Sequence, residues 1–378
     1  MTNLPPEEPA RARWNQVVLV AIFMALLWLP TVDAIFHFDH SPAFNEKRLP
    51  AAWPQFKPGL AGLQQYAAGL EAYFNDHFGF RKQLIHWHIE LQLALFHGGR
   101  SDVMMGKDGC LFFNERDMHL AENFQGLRQF SPQELDLRLQ LHESRRIWLA
   151  QRGGQYLFVI APDKQSIYPD LLPAWLKPTG RATKLDQFIN YMRAYSEVAV
   201  PDLRPALRVA RQIAPTYYKT DSHWNSFGGF VASEEIAKAL SEKSGFKPLS
   251  LDSFEFKKTP IERGDLALLL GIYAREDDLV LTPKTNLPPL VETIQNSEYR
   301  VPTYFTTNAS AQGTCVVFRD SFGPALMPFL GRHFKTVGYY WGPGGFDTNI
   351  IAQMKPDVVI SEVVERHFNE SSGQDPTH

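Results

Sequence analysis

The first strong pattern along this chain is an uncharged, largely apolar stretch over residues 14–32. As a helix it would span about 28 Å, close to the hydrocarbon thickness of a bilayer. Arg11 and Arg13 precede it, Asp33 follows it, and Trp14 and Trp28 lie near its ends. The positive-inside rule then predicts a cytoplasmic tail over 1–13, a transmembrane anchor over 14–32, and everything after Asp33 on the outer side of the membrane. A cleaved signal peptide is the competing reading, with an apolar core over 17–29 and a loose cleavage site at Val32-Asp33-Ala34. Both readings export everything after Asp33.

Residues 33–66, punctuated by Pro42, Pro50, Pro54 and Pro58, predict an extended connector. Residues 67–97 carry helical periodicity: Leu84, Trp87, Leu91 and Leu95 share one face, and Gly79 is placed to break the helix in two. The region 33–99 is thus read as connector and helices. From about residue 100 the period changes. Apolar runs of the kind that buried parallel strands show predict strands at 110–113, 156–161, 198–202, 216–220, 314–319, 336–341 and 357–362. Helical stretches at 132–152, 183–195, 204–212, 226–244, 324–334 and 347–354 alternate with them. That alternation predicts an α/β domain over 100–368, with one mostly parallel sheet covered on both faces. Residues 245–310 are less regular and read as an insertion, and 369–378 as a polar tail.

Composition narrows the picture only slightly. With 44% hydrophobic and 21% charged residues among 378, the chain is globular, and a net charge of -3 gives no reason to expect nucleic acid as a partner. Aromatics at 13% suit a large core first and a sugar-facing surface second. Cys110 and Cys315 each sit in an apolar run and are expected as buried thiols, with a bridge between them in an oxidising compartment as the alternative; neither has the spacing of a metal site.

Two short runs carry candidate chemistry. Ser321 lies between the apolar T-C-V-V-F-R and the helix-like F-G-P-A-L-M-P-F-L. A serine at a strand-to-helix turn is presented at the carboxyl edge of a sheet, where open α/β folds bind ligands, and its own N–H can face a developing oxyanion. The alternative is that Asp320 and Ser321 simply cap a helix. Asp221 and His223 stand two apart in T-D-S-H-W-N, so in an extended segment both face one side. An imidazole can serve as base to a hydroxyl, and a carboxylate can fix its tautomer. A core histidine, a capping aspartate or a divalent-metal pair are the alternatives, the last without a supporting H-x-x-x-H or cysteine pair.

The pair T-D-S-H-W-N and F-R-D-S-F-G resembles the SGNH-hydrolase-like domain of the alginate O-acetyltransferase family, of the AlgJ and AlgX type. N-D-H-F-G-F-R at 75–81, G-K-D-G-C-L-F-F at 106–113, A-P-D-K-Q-S-I-Y-P at 161–169, G-D-L-A at 264–267 and P-D-V-V-I-S-E-V-V-E-R at 356–366 agree with it in order. The resemblance implies a three-layer α/β/α fold and a cofactor-independent enzyme. In that reading Ser321 takes an acetyl group, His223 acts as base and Asp221 orients it. The acceptor is a hydroxyl of an exported polysaccharide, and a membrane-bound O-acyltransferase supplies the acetyl group. The serine motif is R-D-S where alginate members have G-T-S, so the polymer need not be alginate. The end of the chain soon after P-D-V-V-I favours the membrane-anchored layout. Gly264 is a candidate oxyanion donor, and Lys164, Tyr168, Tyr218, Arg319 and Trp341 are candidates for a sugar groove. An esterase or deacetylase with the same triad, or a non-catalytic envelope scaffold that binds polysaccharide, are the competing functions.

Overall fold

Alternation of side chains along adjacent strands builds the larger part of the molecule. In the computed structural model the described residues are 10–36, 38, 51–81, 83–84, 87, 91, 102–244, 247–261, 264–270, 275–284, 287–295 and 301–371. The chain divides into two compact units, residues 1–96 with 268–272, and residues 97–267 with 273–378.

In the smaller unit, helix α1 runs Ala10–Phe36, beyond both ends of the predicted span. Its stretch Trp14–Asp33, with a mean hydropathy of 1.9, is long and apolar enough to cross a membrane. Helix α2 is Leu60–His77, so the extended connector ends sooner than expected. Proline punctuates the chain only as far as Pro58, and the helix starts just after it. The expected break falls at Gly79 and Phe80. A Cβ on Gly79 would lie 1.9 Å from the carbonyl oxygen of Pro30, and the Phe80 N–H donates to Asp33 at 2.8 Å. Leu84, Trp87 and Leu91 are helical. Leu95, the start of the tail at 1–9 and the polar residues from 372 lie outside the described residues.

In the larger unit the strands are β1 (Val103–Met105), β2 (Leu111–Phe113), β3 (Gln155–Ala161), β4 (Phe254–Ile261), β5 (Glu276–Pro283), β6 (Val291–Gln295), β7 (Thr303–Thr307), β8 (Thr314–Arg319), β9 (Thr336–Trp341) and β10 (Val358–Val364). Among the described residues, six of them form one sheet in the order β3-β10-β8-β9-β7-β6. β3, β10, β8 and β9 are mutually parallel, and β7 and β6 extend the sheet antiparallel. Leu157, Val159, Cys315, Val317, Val358 and Ile360 face one layer with Leu207, Ile236 and Leu240. Their alternate neighbours Tyr156, Phe158, Val316, Phe318, Val359 and Val363 face the other, with Leu149, Phe188 and Met192. The first layer uses α5 (Arg204–Ala210) and α6 (Ser226–Ser244). The second uses α3 (Pro132–Ala150), α4 (Lys184–Tyr195) and α7 (Thr348–Met354). α3 and α4 start at Ser131 and Thr183 in reciprocal capping boxes with Glu134 and Asp186. A strand buried on both faces reads as a continuous apolar run for this reason.

Three expectations are corrected. Residues 198–202 form a single bridge, Leu157↔Ala199, because Pro201 has no N–H to continue a ladder. Residues 216–220 likewise make one bridge, Tyr217↔Trp224, and no strand. Residues 245–310 hold β4 and β5, paired as a hairpin, and the sheet strands β6 and β7. β4 is exposed along most of its length and β6 along all of it, so neither shows the buried run that marks the others. Cys110 and Cys315 are buried free thiols.

Candidate active site

Ser321 follows β8 at the carboxyl edge of the sheet and is exposed. Below it, Asp320 is buried and accepts from the N–H of Phe322 at 2.8 Å and of Val364 at 2.7 Å. The Asp320 N–H in turn donates to Glu362 at 2.9 Å. Burial, and then the charge of Asp320, push Glu362 well above the usual carboxylate range. The predicted helix over 324–334 is a short 3-10 turn, Gly323–Leu326, followed by one helical turn, Met327–Leu330. Pro324 and Pro328 each fall at the start of one of these turns, where a missing N–H costs least.

His223 reaches this turn from a loop, not a strand. The Asp221 carboxylate accepts from the backbone N–H of His223 at 2.9 Å and from its Nδ1–H at 2.6 Å. A local side-chain turn thus brings the pair together, where strand alternation was expected to. Nε2 is then the acceptor, and Ser321 Oγ–H donates to it at 2.8 Å. The imidazole packs on Phe322, ring centroids 4.7 Å apart. Trp224 donates its indole N–H to the Phe322 carbonyl at 3.0 Å. The tryptophan after the histidine therefore ties the histidine loop to the serine turn. Asn225 accepts from Gly228 N–H at 3.0 Å and starts α6.

The loop owes its shape to side chains from elsewhere. Tyr168 Oη accepts from Thr216 N–H at 2.8 Å. Glu276 accepts from Lys219 N–H at 2.6 Å and Thr220 N–H at 2.9 Å. Lys164 donates to the carbonyls of Leu111 at 2.7 Å, Lys219 at 3.0 Å and Asp221 at 3.1 Å. These bonds replace the ladder that the sequence pattern suggested. They also correct two groove candidates, and two more are spent elsewhere. Lys164 and Tyr168 are buried and spent on the loop's own peptide groups. Tyr218 is half-buried and donates its hydroxyl to Asp278 at 2.8 Å; burial first, then that bond, raises its pKa. Arg319 is buried too, donating to the carbonyls of Asp320 at 3.1 Å and Pro302 at 3.2 Å. Trp341 alone of these five remains broadly exposed, at 43%.

Gly264 is corrected as well. Its N–H faces Thr220 Oγ1 at 3.3 Å, so it is not aimed at an acyl oxygen. A Cβ there would lie 2.2 Å from the Thr220 carbonyl oxygen and 2.5 Å from Asp221 N. Its smallness lets the next residue, Asp265, lie beside the triad. The Asp265 N–H donates to the second oxygen of Asp221 at 2.8 Å. The Asp265 carboxylate accepts from Ser222 N–H at 2.7 Å and Ser222 Oγ–H at 2.6 Å. Sequence reasoning missed Asp265; the signal was its place in the G-D-L-A block, read only for its glycine.

Two carboxylates flank one imidazole, and their environments separate them. Burial tends to raise Asp221, but the hydrogen bond and charge of His223 and the N–H groups around it bring it down to about 2. Burial and the Asp221 charge push Asp265 up. Asp221 therefore remains ionised and orients the imidazole. Ligand atoms of Asp221, His223 and Asp265 lie within 4.8 Å of one another, close enough for a divalent ion. Protein donors on all four carboxylate oxygens account for the cluster without one.

A buried ionic group lies beneath the same sheet edge. Glu365 accepts from Asp163 N–H and Ser166 Oγ–H, each at 2.9 Å, and Asp163 pairs with Arg366 at 2.7 Å. Burial first, then the Asp163 charge, raise Glu365 from 4.5 to about 7, against the charge of Arg204. A carboxyl raised on folding stabilises the fold below its unfolded value and loses that contribution as pH rises through its folded value. Glu365→Gln should therefore flatten the fall in stability between pH 5 and 8, by on the order of 1–3 kcal/mol, and with it the fall in melting temperature. Thermal denaturation of both proteins across that range checks it; parallel curves would show that Glu365 does not titrate there.

Residues 103–346 match the family model described as SGNH hydrolase-like domain, acetyltransferase AlgX. The chain is 27% identical over 261 residues to a Pseudomonas syringae pv. tomato protein named probable alginate O-acetylase AlgJ, covering 68% of this chain and 61% of that one. To the Pseudomonas fluorescens protein of the same name it is 25% identical over 268 residues, covering 70% and 61%. It thus spans less than two thirds of the length of these relatives. Among solved structures, Bacillus cereus PatB1 aligns with a TM-score of 0.54 at 16% identity, over 72% of this chain and 99% of that one, a likeness of fold.

Proposed function

Because this chain belongs to the SGNH hydrolase-like acetyltransferase family of the AlgX type, we propose that it transfers acetyl groups to hydroxyls of an exported polysaccharide through Ser321, His223 and Asp221. The observation that carries this reading is the unbroken chain of hydrogen bonds from Asp221 through His223 to an exposed Ser321. Ser321 Oγ attacks the acetyl carbonyl while its proton passes to His223 Nε2. The tetrahedral intermediate collapses, and the imidazolium gives that proton to the departing donor group. A sugar hydroxyl then attacks the acetyl-serine and loses its proton to Nε2. Collapse releases the acetylated sugar and returns the proton to Ser321 Oγ. Among the described residues the Ser321 N–H has no partner within the protein, which leaves it as a donor to the oxyanion.

The span Trp14–Asp33 supports a single-pass anchor, with the α/β domain on the periplasmic side of the inner membrane. In that compartment the donor is an acetyl group delivered across the membrane, and a membrane-bound O-acyltransferase is the partner that fits. The names of the AlgJ relatives make alginate the first acceptor to test. The experiment supplies the full chain, in detergent, with p-nitrophenyl acetate and alginate oligosaccharides. Acetylated sugar is the expected product. Acetate alone, with the sugar unmodified, would make the protein an esterase instead.

A further inference from the structure

The acceptor must reach Ser321 from the open carboxyl edge of the sheet, and the two sides of that edge differ. β8 lies between β10 and β9. On the β10 side the edge is closed by buried residues, Val364 and Glu365. On the β9 side Arg319 pairs in register with Trp341. A tryptophan this exposed leaves a large apolar face in water, where most indoles bury theirs. It is also held in place. The Gly342 N–H donates to the Arg319 carbonyl at 3.0 Å, fixing the end of β9 against the strand that carries Ser321. The buried Arg319 guanidinium lies 5.7 Å from the indole and 5.1 Å from the ring of Tyr304. Arg319 is itself pinned by the Asp320 and Pro302 carbonyls. A fixed aromatic face, in register with the last residue of β8 and two residues short of Ser321, is a binding surface that needs no rearrangement.

We propose that Trp341 is the platform on which a pyranose ring of the acceptor stacks beside Ser321, an inference that rests on the acetyl-transfer reading. The C–H face of a pyranose is apolar and weakly positive at its hydrogens, which suits the negative face of an indole. Stacking by that face leaves the ring's hydroxyls directed outward from its rim, one of them toward the acetyl-serine. The surface selects for a sugar ring and for its orientation, and water gains nothing from it. Trp341 therefore biases the acyl-enzyme toward transfer over hydrolysis.

The test separates binding from chemistry. In full-chain protein carrying Ser321→Ala, dissociation constants for an alginate hexasaccharide and for cellohexaose are measured by calorimetry, with and without Trp341→Ala or Trp341→Phe. Trp341→Ala should weaken the better-bound sugar about tenfold, equivalent to about 1.4 kcal/mol, and Trp341→Phe should restore most of it. In the Ser321 protein, Trp341→Ala should lower the ratio of acetylated sugar to free acetate. Equal binding with and without Trp341, or no binding of either sugar to the parent protein, would overturn the proposal. Unaltered melting temperature excludes misfolding as the cause of a loss. Sugar binding that depends on Trp341 in a protein that never acetylates sugar would uphold the platform and reject the transferase.

Discussion

Ser321→Ala should lower acetyl transfer by about three to six orders of magnitude, and His223→Ala by a similar factor. The double variant should be scarcely worse than either single one, because each removes the same unit. The geometry carries this expectation. The serine hydroxyl already donates to Nε2 at 2.8 Å, and the opposite nitrogen is held by Asp221 at 2.6 Å. With Asp221 held at about 2, it is ionised at neutral pH, so the proton taken from Ser321 rests on the imidazole. Initial rates with p-nitrophenyl acetate, and mass spectrometry for an acetyl group on Ser321, measure the effect. Residual transfer in both variants would come from the oxyanion donor and acceptor binding. Transfer at the parent rate in Ser321→Ala would remove the serine from the reaction.

Much of this site could be read from the sequence, and what could not has a common physical cause. Runs such as T-C-V-V-F-R announce their burial, and their ends announce the sheet edge where Ser321 stands. The D-S-H spacing was right for a different reason from the one it suggested: a side-chain turn, not a strand, brings Asp221 to His223. Three of the groove candidates are buried for one reason. Lys164, Tyr168 and Arg319 lie near strand ends, as ligand contacts do, but their polar atoms satisfy backbone carbonyls and N–H groups distant in the chain. A sequence pattern records how a residue alternates with its neighbours and says nothing of a peptide group tens of residues away that needs a partner. β6 went unseen for the converse reason: an edge strand exposed along its length has no apolar period to detect.

Asp265→Ala should lower kcat by about 10–100-fold although Ser321, His223 and Asp221 are all retained, making Asp265 a positioning residue. Its backbone N–H donates to Asp221 whatever side chain follows Gly264, so that bond survives in every variant. What the substitution removes is the acceptor for Ser222 N–H and Oγ–H. Ser222 is the central residue of D-S-H, and both its donors are buried against Asp265. Leaving them unpaired costs about 1–3 kcal/mol, which the loop recovers by turning Ser222 toward water and so rotating its neighbours on either side. Asp265→Asn retains an oxygen for the N–H and should lose less. A proton-NMR signal at low field, from His223 Nδ1–H bound to Asp221, should weaken in Asp265→Ala and persist in Ser321→Ala. A general loss of stability would not separate the two variants in this way. Gly264→Ala gives an independent check, since its Cβ would press on the Thr220 carbonyl 2.2 Å away and displace the same loop. An Asp265→Ala enzyme with the parent kcat would mean that Asp221, held by its own turn with His223, needs no second carboxylate to keep it aligned.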